Sequence, residues 1–348
     1  MFSKPMKTIA AAAVMAVALA LGACSADSAG SADTKKDGAL KVGWSTIYLS
    51  PSWMQQTQKL LNDEADRLKK EGKVADLETL NANGDTSQQI SQIRTMIQQK
   101  YDVILVDAGS STALNPVLEE AQDAGIIVVN FDSLVTSDKV IKVGTDQGKW
   151  GSMLAQWLVD KLGGSGDVLA FNGPAGVAVS EDRWAGAKKV FDANPGIKIV
   201  TTLNSEYNIA PAEQAFASAY AANPDIDGVF AQGGALASAA LQTLLKTNGK
   251  LIPITGENYN GFLKEWEANK AKGFSSMSTA QPNYLSVVAL DAAVAVADGK
   301  KVANWIEVPL PEITDNNLAD FVKTDEPDDS YPINELSQTE INEILGLS

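Results

Sequence analysis

Short apolar segments alternate with amphipathic segments through most of this chain, and this alternation is the feature that most limits its fold. Near-continuous apolar runs such as "YDVILVDAG" (101–109) and "IIVVNFDS" (126–133) predict strands buried on both faces. The segments 53–71 and 85–100 carry apolar residues at helical spacing. The pattern indicates parallel sheets covered by helices on both faces, which is the α/β class.

The number of predicted strands exceeds what one open sheet comfortably holds, so we expect two doubly wound parallel-sheet domains. The predicted strands cover 39–45, 75–82, 101–109, 126–133, 140–146, 166–173, 197–205, 226–233, 251–257 and 274–280. In such sheets ligands bind beyond the carboxyl ends of the strands. Two facing domains would therefore enclose a ligand in one cleft and close on it by hinge motion.

The N-terminus has the pattern of a secretory signal. Lys4 and Lys7 precede an apolar run over 9–21, which is shorter than the roughly 20 residues of a membrane-spanning helix. Small and polar residues follow this run. We expect a signal peptide over 1–23 and a flexible tether over 24–38.

Cys24 is the only cysteine in the chain, and it stands at the end of the apolar run. The ending "LGAC" resembles the lipobox of bacterial lipoproteins, in which the cysteine sulfur receives a diacylglycerol and the chain is cut before the cysteine. Two or three acyl chains would anchor the mature chain stably. The alternative is an ordinary signal peptide cut after a small residue, with Cys24 incidental.

The composition excludes several kinds of chemistry. The chain contains no histidine, so it has no Ser-His or Cys-His nucleophile system and lacks the commonest zinc ligand. A single cysteine allows no disulfide within the chain. The net charge of −15 and the lack of a basic tract argue against nucleic-acid binding. We expect neither a cofactor nor a bound metal.

Polar and aromatic side chains follow nearly every predicted strand, at the edge where a cleft would lie. They are Ser45, Trp53, Asp107, Asp132, Asn172, Arg183, Tyr207, Gln232, Glu257, Asn258 and Gln281. Carboxylates accept hydrogen bonds from adjacent hydroxyl groups, arginine and amides donate, and an aromatic ring covers an apolar C–H face. The set therefore predicts a site for a polyhydroxylated ligand. Any one of these residues, taken singly, could instead be a capping or turn residue, and Trp150 is interpreted as a packing residue.

Several segments resemble the periplasmic sugar-binding proteins of ABC transporters, the group that includes the ribose-binding protein. They include "DTSQQISQIRTMIQQKYDVILVDAGSSTALNPVLEEAQDAGIIVVNFDS", "EDRWAGAKKVFDANPGIKIV" and "STAQPNYLSVVALDAA". The resemblance implies the type I periplasmic-binding-protein fold, in which a three-segment hinge joins two α/β lobes around a sugar. It implies an N-terminal lobe of 39–145 plus about 282–305, and a C-terminal lobe and tail of 146–281 plus about 306–348.

The resemblance also assigns binding residues one at a time. Asp132 matches the acid that binds sugar hydroxyl groups at the end of the fourth strand. Arg183 matches the arginine of the second domain that grips the ring, and Gln281 matches a hinge-side glutamine. Tyr207 lies near a family aromatic position, and Trp53 lies near the aromatic pair after the first strand.

The chain departs from the ribose-type pattern at several positions. Asp107 stands where an asparagine is usual, Ser133 where an arginine is usual, and Gly233 where a second asparagine is usual. The aspartate of the usual "GFDG" is replaced by Asn258 or Glu257 in "GENYN". A site discriminates strongly against a ligand that leaves its polar groups unpaired. We therefore expect a different sugar, a polyol or a related small solute rather than ribose.

The expected function is that of a substrate-binding lipoprotein, which hands its solute to an ABC permease and its ATPase. The alternative is a sensor that presents a small signal, such as an autoinducer-like compound, to a membrane receptor. A glycosidase would need two carboxyl groups about 5 to 9.5 Å apart across the cleft, whereas Asp107 and Asp132 end neighbouring strands of one lobe, so we expect no enzyme. We expect a monomer, held by its lipid on the outer face of the cytoplasmic membrane, or in the periplasm of a host with an outer membrane.

Overall fold

The structure is a computed structural model that describes residues 38–50, 52–332 and 335–347. The predicted signal peptide, the predicted lipidation at Cys24 and nearly all of the predicted tether lie outside these residues. Among the residues that are described, no helix combines the length and the apolarity that crossing a membrane requires.

Within these ranges the chain forms twelve strands and eleven helices. The strands are β1 (Leu40–Thr46), β2 (Val74–Asn81), β3 (Val103–Asp107), β4 (Ile127–Phe131), β5 (Ile141–Gly144), β6 (Gly166–Asn172), β7 (Ile197–Asn204), β8 (Gly228–Ala231), β9 (Ile254–Glu257), β10 (Ser276–Thr279), β11 (Trp305–Glu307) and β12 (Ile313–Thr314). The helices are α1 (Ser52–Lys70), α2 (Thr86–Gln98), α3 (Asn115–Asp123), α4 (Gln147–Lys161), α5 (Ala178–Ala193), α6 (Ile209–Ala222), α7 (Gly234–Lys246), α8 (Asn260–Lys270), α9 (Leu285–Ala297), α10 (Leu318–Phe321) and α11 (Gln338–Ile344).

The strands form two six-stranded sheets of similar topology. The first sheet has the order β11-β5-β4-β3-β1-β2, and all its pairs are parallel. The second has the order β12-β10-β9-β8-β6-β7 and is parallel except for β12, which pairs antiparallel with β10. Strands such as β3 and β4 are buried along their whole length because helices cover both faces. The predicted pair of doubly wound parallel-sheet domains is confirmed.

The chain crosses between the two lobes in three segments near the sheets. These segments connect β5 to α4, β10 to α9, and β11 to β12. The second crossing returns the chain to the first lobe, where α9 packs against α1 and β4 and β11 adds an edge strand beside β5. Helix α9 is buried almost all round, which matches its nearly uniform apolar sequence.

The end of the chain contacts both lobes, whereas the sequence had placed 306–348 with the second lobe. Strand β12 joins the second sheet, but α11 packs against α9 of the first lobe. The side chains of Ile341 and Leu345 are buried there, and Gln338 Nε2 donates a hydrogen bond of 3.2 Å to Asp291 Oδ1. The assignment of α11 to the second lobe is therefore corrected. A helix of seven residues carries too short a pattern to indicate which surface it covers.

Helices α4 and α5 of the second lobe touch through their backbones. A Cβ atom on Gly151 would lie 1.8 Å from the carbonyl oxygen of Arg183, and one on Gly186 would lie 2.0 Å from the carbonyl oxygen of Gly148. Only glycine permits such a close approach. The contact fixes α5, which carries Arg183, against α4, which carries Gln147 and Trp150.

Candidate ligand-binding site

The first lobe contributes two neighbouring carboxyl groups at the ends of β3 and β4. Asp107 is the last residue of β3, and Thr46 Oγ1 donates a hydrogen bond of 3.2 Å to its Oδ2 atom. Asp107 Oδ1 is buried and has no hydrogen-bond partner among the described residues. Asp132 follows β4 with a φ of 61°, a left-handed conformation that aspartate tolerates better than most residues.

Both carboxyl groups are harder to ionise than in water. Burial raises the pKa of Asp107 well above its usual value, and the negative charge of Asp132 raises it further. Burial also raises the pKa of Asp132, although the hydrogen bond from Gln281 and the charge of Arg183 oppose this shift. The first half of the site is thus a pair of interacting acids, of which Asp107 is buried and Asp132 half-buried.

Gln281 links the two lobes at the second crossing. Its Nε2 atom donates a hydrogen bond to Asp132 Oδ1 in the first lobe. Its Oε1 atom accepts from Thr145 Oγ1 at 3.0 Å, from Arg183 Nη2 at 3.2 Å and from Gln147 Nε2. One buried amide therefore joins the acid of the first lobe to the guanidinium of the second.

Arg183 is held from several sides within the second lobe. Its Nε atom donates to Gln147 Oε1 at 2.8 Å, and its Nη1 atom donates to the carbonyl oxygen of Gln232 at 2.8 Å. Its Cζ atom lies 4.1 Å from the centroid of the Trp150 ring. These contacts and the buried position, with 3% of the residue exposed, fix the orientation of the guanidinium group.

Glu257 and Asn258 bring further polar groups from the end of β9. Glu257 Oε1 lies 3.6 Å from Arg183 Nη2 and accepts a hydrogen bond of 3.3 Å from the backbone N–H of Gln281. Burial raises the pKa of Glu257, while the positive charge of Arg183 opposes the shift. Asn258 is completely buried, and neither atom of its amide finds a hydrogen-bond partner among the described residues.

Tyr207 forms part of the wall of the second lobe. A Cβ atom on Gly173 would lie 2.1 Å from the Tyr207 hydroxyl oxygen, and one on Gly233 would lie 2.8 Å from its ring. Gly233, which stands where the ribose-type pattern has an asparagine, therefore makes room for the Tyr207 ring. Burial raises the pKa of the Tyr207 hydroxyl to about 12, so the hydroxyl is neutral at physiological pH and able to donate a hydrogen bond.

Four other predicted residues contact protein groups. Ser45 Oγ points toward Gln92 Oε1 at 3.5 Å, and Trp53 Nε1 donates to the carbonyl oxygen of Gln281 at 2.9 Å. Gln232 Nε2 donates to Asn172 Oδ1 at 2.7 Å. Trp53 thus braces the hinge, while Asn172 and Gln232 tie strand ends together. A direct ligand contact by any of the four stays a prediction.

Sequence reasoning missed three residues around Arg183 and Gln281. Thr145 and Gln147 follow β5 directly, at the first crossing, and the position after a strand was the signal that could have found them. Trp150 is buried, as a packing residue would be, but its ring also supports the guanidinium group of Arg183. Its spacing on α4 carries no sign of this second contact.

The charges of the site are unequal. The carboxyl groups of Asp132 and Glu257 lie near the guanidinium group of Arg183, and the carboxyl group of Asp107 interacts with that of Asp132. Carboxylate and amide oxygens provide many hydrogen-bond acceptors, and the arginine and amide nitrogens provide donors. This arrangement suits a small ligand rich in hydroxyl groups, since each hydroxyl both donates and accepts.

Two parallel-sheet lobes, three crossings and polar strand ends that converge on the hinge define a two-lobed solute-binding protein. The chain belongs to the family of the periplasmic binding protein domain, whose family model matches residues 42–301. The resemblance to the periplasmic sugar-binding proteins of ABC transporters is confirmed, and so is the type I fold.

Two curated relatives match most of the chain. The xylitol-binding protein of Mycolicibacterium smegmatis is 30% identical over 318 residues, which are 89% of this chain and 86% of the relative. The ribose import binding protein of Bacillus subtilis is 28% identical over 270 residues, which are 77% of this chain and 85% of the relative. Both relatives are named as binding proteins rather than enzymes.

A solved structure confirms the architecture. The ABC transporter solute binding protein of Thermobispora bispora superposes with a TM-score of 0.79 at 23% identity, covering 88% of this chain and 94% of that chain. At this level of identity the likeness shows the fold.

Proposed function

We propose that the protein is the solute-binding component of an ABC importer and captures a polyol or a sugar between its lobes. The observation that carries the proposal is the convergence on Gln281 of Asp132 from one lobe and Arg183 from the other. A ligand that bridges these groups would stabilise the closed arrangement. The similarity to a xylitol-binding protein supports an acyclic polyol, and the similarity to a ribose-binding protein supports a pentose.

Isothermal titration calorimetry with a panel of pentoses, hexoses and polyols, including xylitol and D-ribose, tests this proposal. We expect one member to bind, and Arg183→Ala to weaken its binding by about 100-fold, because charge-assisted hydrogen bonds contribute about 1.5–3 kcal/mol each. Lys188→Ala is the matched control, since Lys188 lies on the same helix and pairs with Asp192 in solvent. Absence of binding to the whole panel would contradict the proposal.

We further propose that Cys24 carries the lipid that keeps the protein at the membrane. Support comes from the "LGAC" sequence and from the lack of any other cysteine. In the native host, Cys24→Ser should move the protein from the membrane fraction to the soluble envelope fraction, and mass spectrometry should find acyl chains on the wild-type N-terminal peptide. Equal membrane association of both forms would contradict the anchor.

Delivery to a permease is the last step of the proposal, and a sensor would use the same cleft. Uptake of the radiolabelled solute by cells lacking the gene separates the two roles. Loss of uptake, restored by wild-type protein but not by Arg183→Ala, supports transport. Normal uptake together with a lost transcriptional response supports presentation to a membrane receptor.

A further inference from the structure

The C-terminal tail makes a fourth connection between the lobes. After β12 and α10, residues 323–332 run beside α8 of the second lobe, and residues 335–347 include α11, which lies on the first lobe. We name residues 323–332 and 335–347 the strap. The three crossings near the sheets are single passages of chain, whereas the strap attaches to each lobe through side chains.

On the second lobe the strap is fastened to the first turn of α8. Asn260 Nδ2 donates to the carbonyl oxygens of Lys323 at 2.8 Å and Pro327 at 3.0 Å, and Asn260 Oδ1 accepts from the backbone N–H of Lys323 at 3.1 Å. The backbone N–H of Gly261 donates to the carbonyl oxygen of Asp328 at 2.8 Å. Lys264 Nζ donates to Asp328 Oδ1 at 2.9 Å. This end of the strap therefore moves with the second lobe.

On the first lobe the strap meets α1 through a reciprocal pair of hydrogen bonds. The backbone N–H of Tyr331 donates to Gln56 Oε1 at 3.0 Å, and Gln56 Nε2 donates to the carbonyl oxygen of Tyr331 at 2.9 Å. The amide of Gln56 thus pairs with Tyr331 as a neighbouring strand would. Helix α11 adds an apolar attachment beyond this point through Ile341 and Leu345.

The Tyr331 side chain is buried between the lobes. Its ring lies edge-on to the Tyr259 ring, with centroids 5.7 Å apart, and only 4% of the residue is exposed. Burial raises the pKa of its hydroxyl, and the nearby negative charge of Glu257, a residue of the candidate site, raises it further. Tyr331 therefore stands between α1, α8 and the Glu257 side of the cleft.

We propose that the strap holds the lobes in the closed arrangement and that Tyr331 is a positioning residue for the cleft. Opening the hinge would separate Gln56, near the start of α1, from Tyr259, which precedes α8, and Tyr331 contacts both. Opening must therefore break the pair with Gln56 or pull the Tyr331 ring away from Tyr259. The strap sets the ratio of open to closed protein and so the lifetime of a bound solute, which rests on the solute-binding function proposed above.

The test measures lobe separation without any ligand, so it does not depend on the identity of the solute. Full-length mature protein carrying Cys24→Ser receives spin labels at Ala113→Cys and Ala175→Cys, two exposed positions after β3 and β6 on opposite lobes. Pulsed electron paramagnetic resonance spectroscopy then gives the distribution of distances between the two spin labels. We expect Gln56→Ala, which removes the reciprocal pair, and Tyr331→Ala, which removes the ring packed against Tyr259, each to raise the ratio of open to closed protein by about fivefold.

Matched variants separate this role from a general loss of stability. Gln122→Ala removes a glutamine whose Nε2 atom bonds to the carbonyl oxygen of Lys139 within the first lobe, and it should leave the distances unchanged. Tyr331→Phe keeps the ring and both backbone bonds but removes the hydroxyl that interacts with Ser52 of α1, so its shift should be smaller than that of Tyr331→Ala. If Gln56→Ala, with the melting temperature of the parent, gives the parent distance distribution, the strap proposal is overturned. If distances shift but no solute binds, the strap stands and the proposed function fails.

Discussion

The Cζ atom of Arg183 lies 4.1 Å from the centroid of the Trp150 ring, and both side chains belong to helices whose backbones touch. The ring supports one face of the guanidinium group, while Gln147 and the Gln232 carbonyl oxygen accept hydrogen bonds at its edge. The arginine is therefore oriented before any ligand arrives. This preorganisation lowers the loss of side-chain entropy on ligand binding.

Trp150→Leu should weaken solute binding by about tenfold, since a desolvated cation–π contact is worth about 1–2 kcal/mol. Titration calorimetry with the solute found in the panel gives the dissociation constant. Trp157→Leu, two turns further along α4, is the control because Trp157 is partly buried against the core of the second lobe, whereas the ring beside Arg183 is that of Trp150. An equal loss of affinity in both variants would show that Trp150 acts through stability alone.

Asn258→Ala should weaken solute binding while leaving the stability of the protein nearly unchanged. The amide of Asn258 is buried and has no hydrogen-bond partner in the described part of the chain, so its removal relieves a desolvation penalty that offsets the lost packing. We expect an affinity loss of at least about tenfold, with a melting temperature close to wild type. Asn269→Ala should lower the melting temperature and leave the affinity unchanged, because Asn269 is buried and its amide donates to the Glu265 carbonyl oxygen at 2.8 Å. A large fall in melting temperature for Asn258→Ala would count against this interpretation.

Asp291, which accepts a hydrogen bond from Gln338 of α11, should make the stability of the protein depend on pH. Burial raises the pKa of Asp291 from its ordinary 3.8 to about 7, and the nearby Glu64 adds to the shift. Because the folded pKa is above the unfolded one, the folded state binds more protons between these values. This contribution is complete below pH 3.8 and is lost as the pH rises toward about 7.

Asp291→Asn should therefore flatten the fall in melting temperature between pH 4 and pH 7, as each pKa unit corresponds to about 1.4 kcal/mol. The asparagine oxygen still accepts from Gln338, so the attachment of α11 is kept. Glu265, whose pKa burial raises to about 7, leaves a residual slope of the same sign. Asp138→Asn, at a fully exposed position, serves as control, and a wild-type slope in Asp291→Asn would refute the assignment.

Gly151→Ala should destabilise the protein by about 1–3 kcal/mol, the usual cost of overpacking. The added Cβ atom would meet the Arg183 carbonyl oxygen at 1.8 Å and force α4 away from α5. Chemical denaturation gives the free energy of unfolding. At Gly148, on the same helix, an added Cβ atom would meet only Asp146 Oδ1 at 3.4 Å, so Gly148→Ala should be nearly neutral. Similar costs at both positions would contradict the proposed contact.

The fold could be predicted from the sequence because its periodic signals are strong. Apolar runs such as β3 and β4 are buried on both faces, and their neighbours along the chain are regular helices. The edge strand β12 and the helix α11 could not be predicted. They have two and seven residues, which carry little pattern, and their positions depend on the surface against which they pack. Tertiary contacts, rather than local preference, decide such segments.

The candidate site could be predicted only as a set of positions. Residues after strands were expected near one another, and Asp132, Arg183 and Gln281 do form one hydrogen-bonded network. The sequence could not show which side chains contact protein groups, because that depends on neighbouring strand registers. Asn172, the last residue of β6, and Gln232, which follows β8, bond to each other across this pair of strands, for example.

The cleft between the lobes is lined by polar groups, and this affects the heat-capacity change of solute binding. Asp132, Arg183, Glu257 and the amide of Gln281 lie where the two lobes meet, rather than two aliphatic faces. Removing polar surface from water changes the heat capacity in the direction opposite to removing apolar surface. Solute capture should therefore show a small heat-capacity change, and its enthalpy should vary little between cold and warm conditions. The enthalpy of solute binding would then stay nearly constant when the temperature around the cell changes.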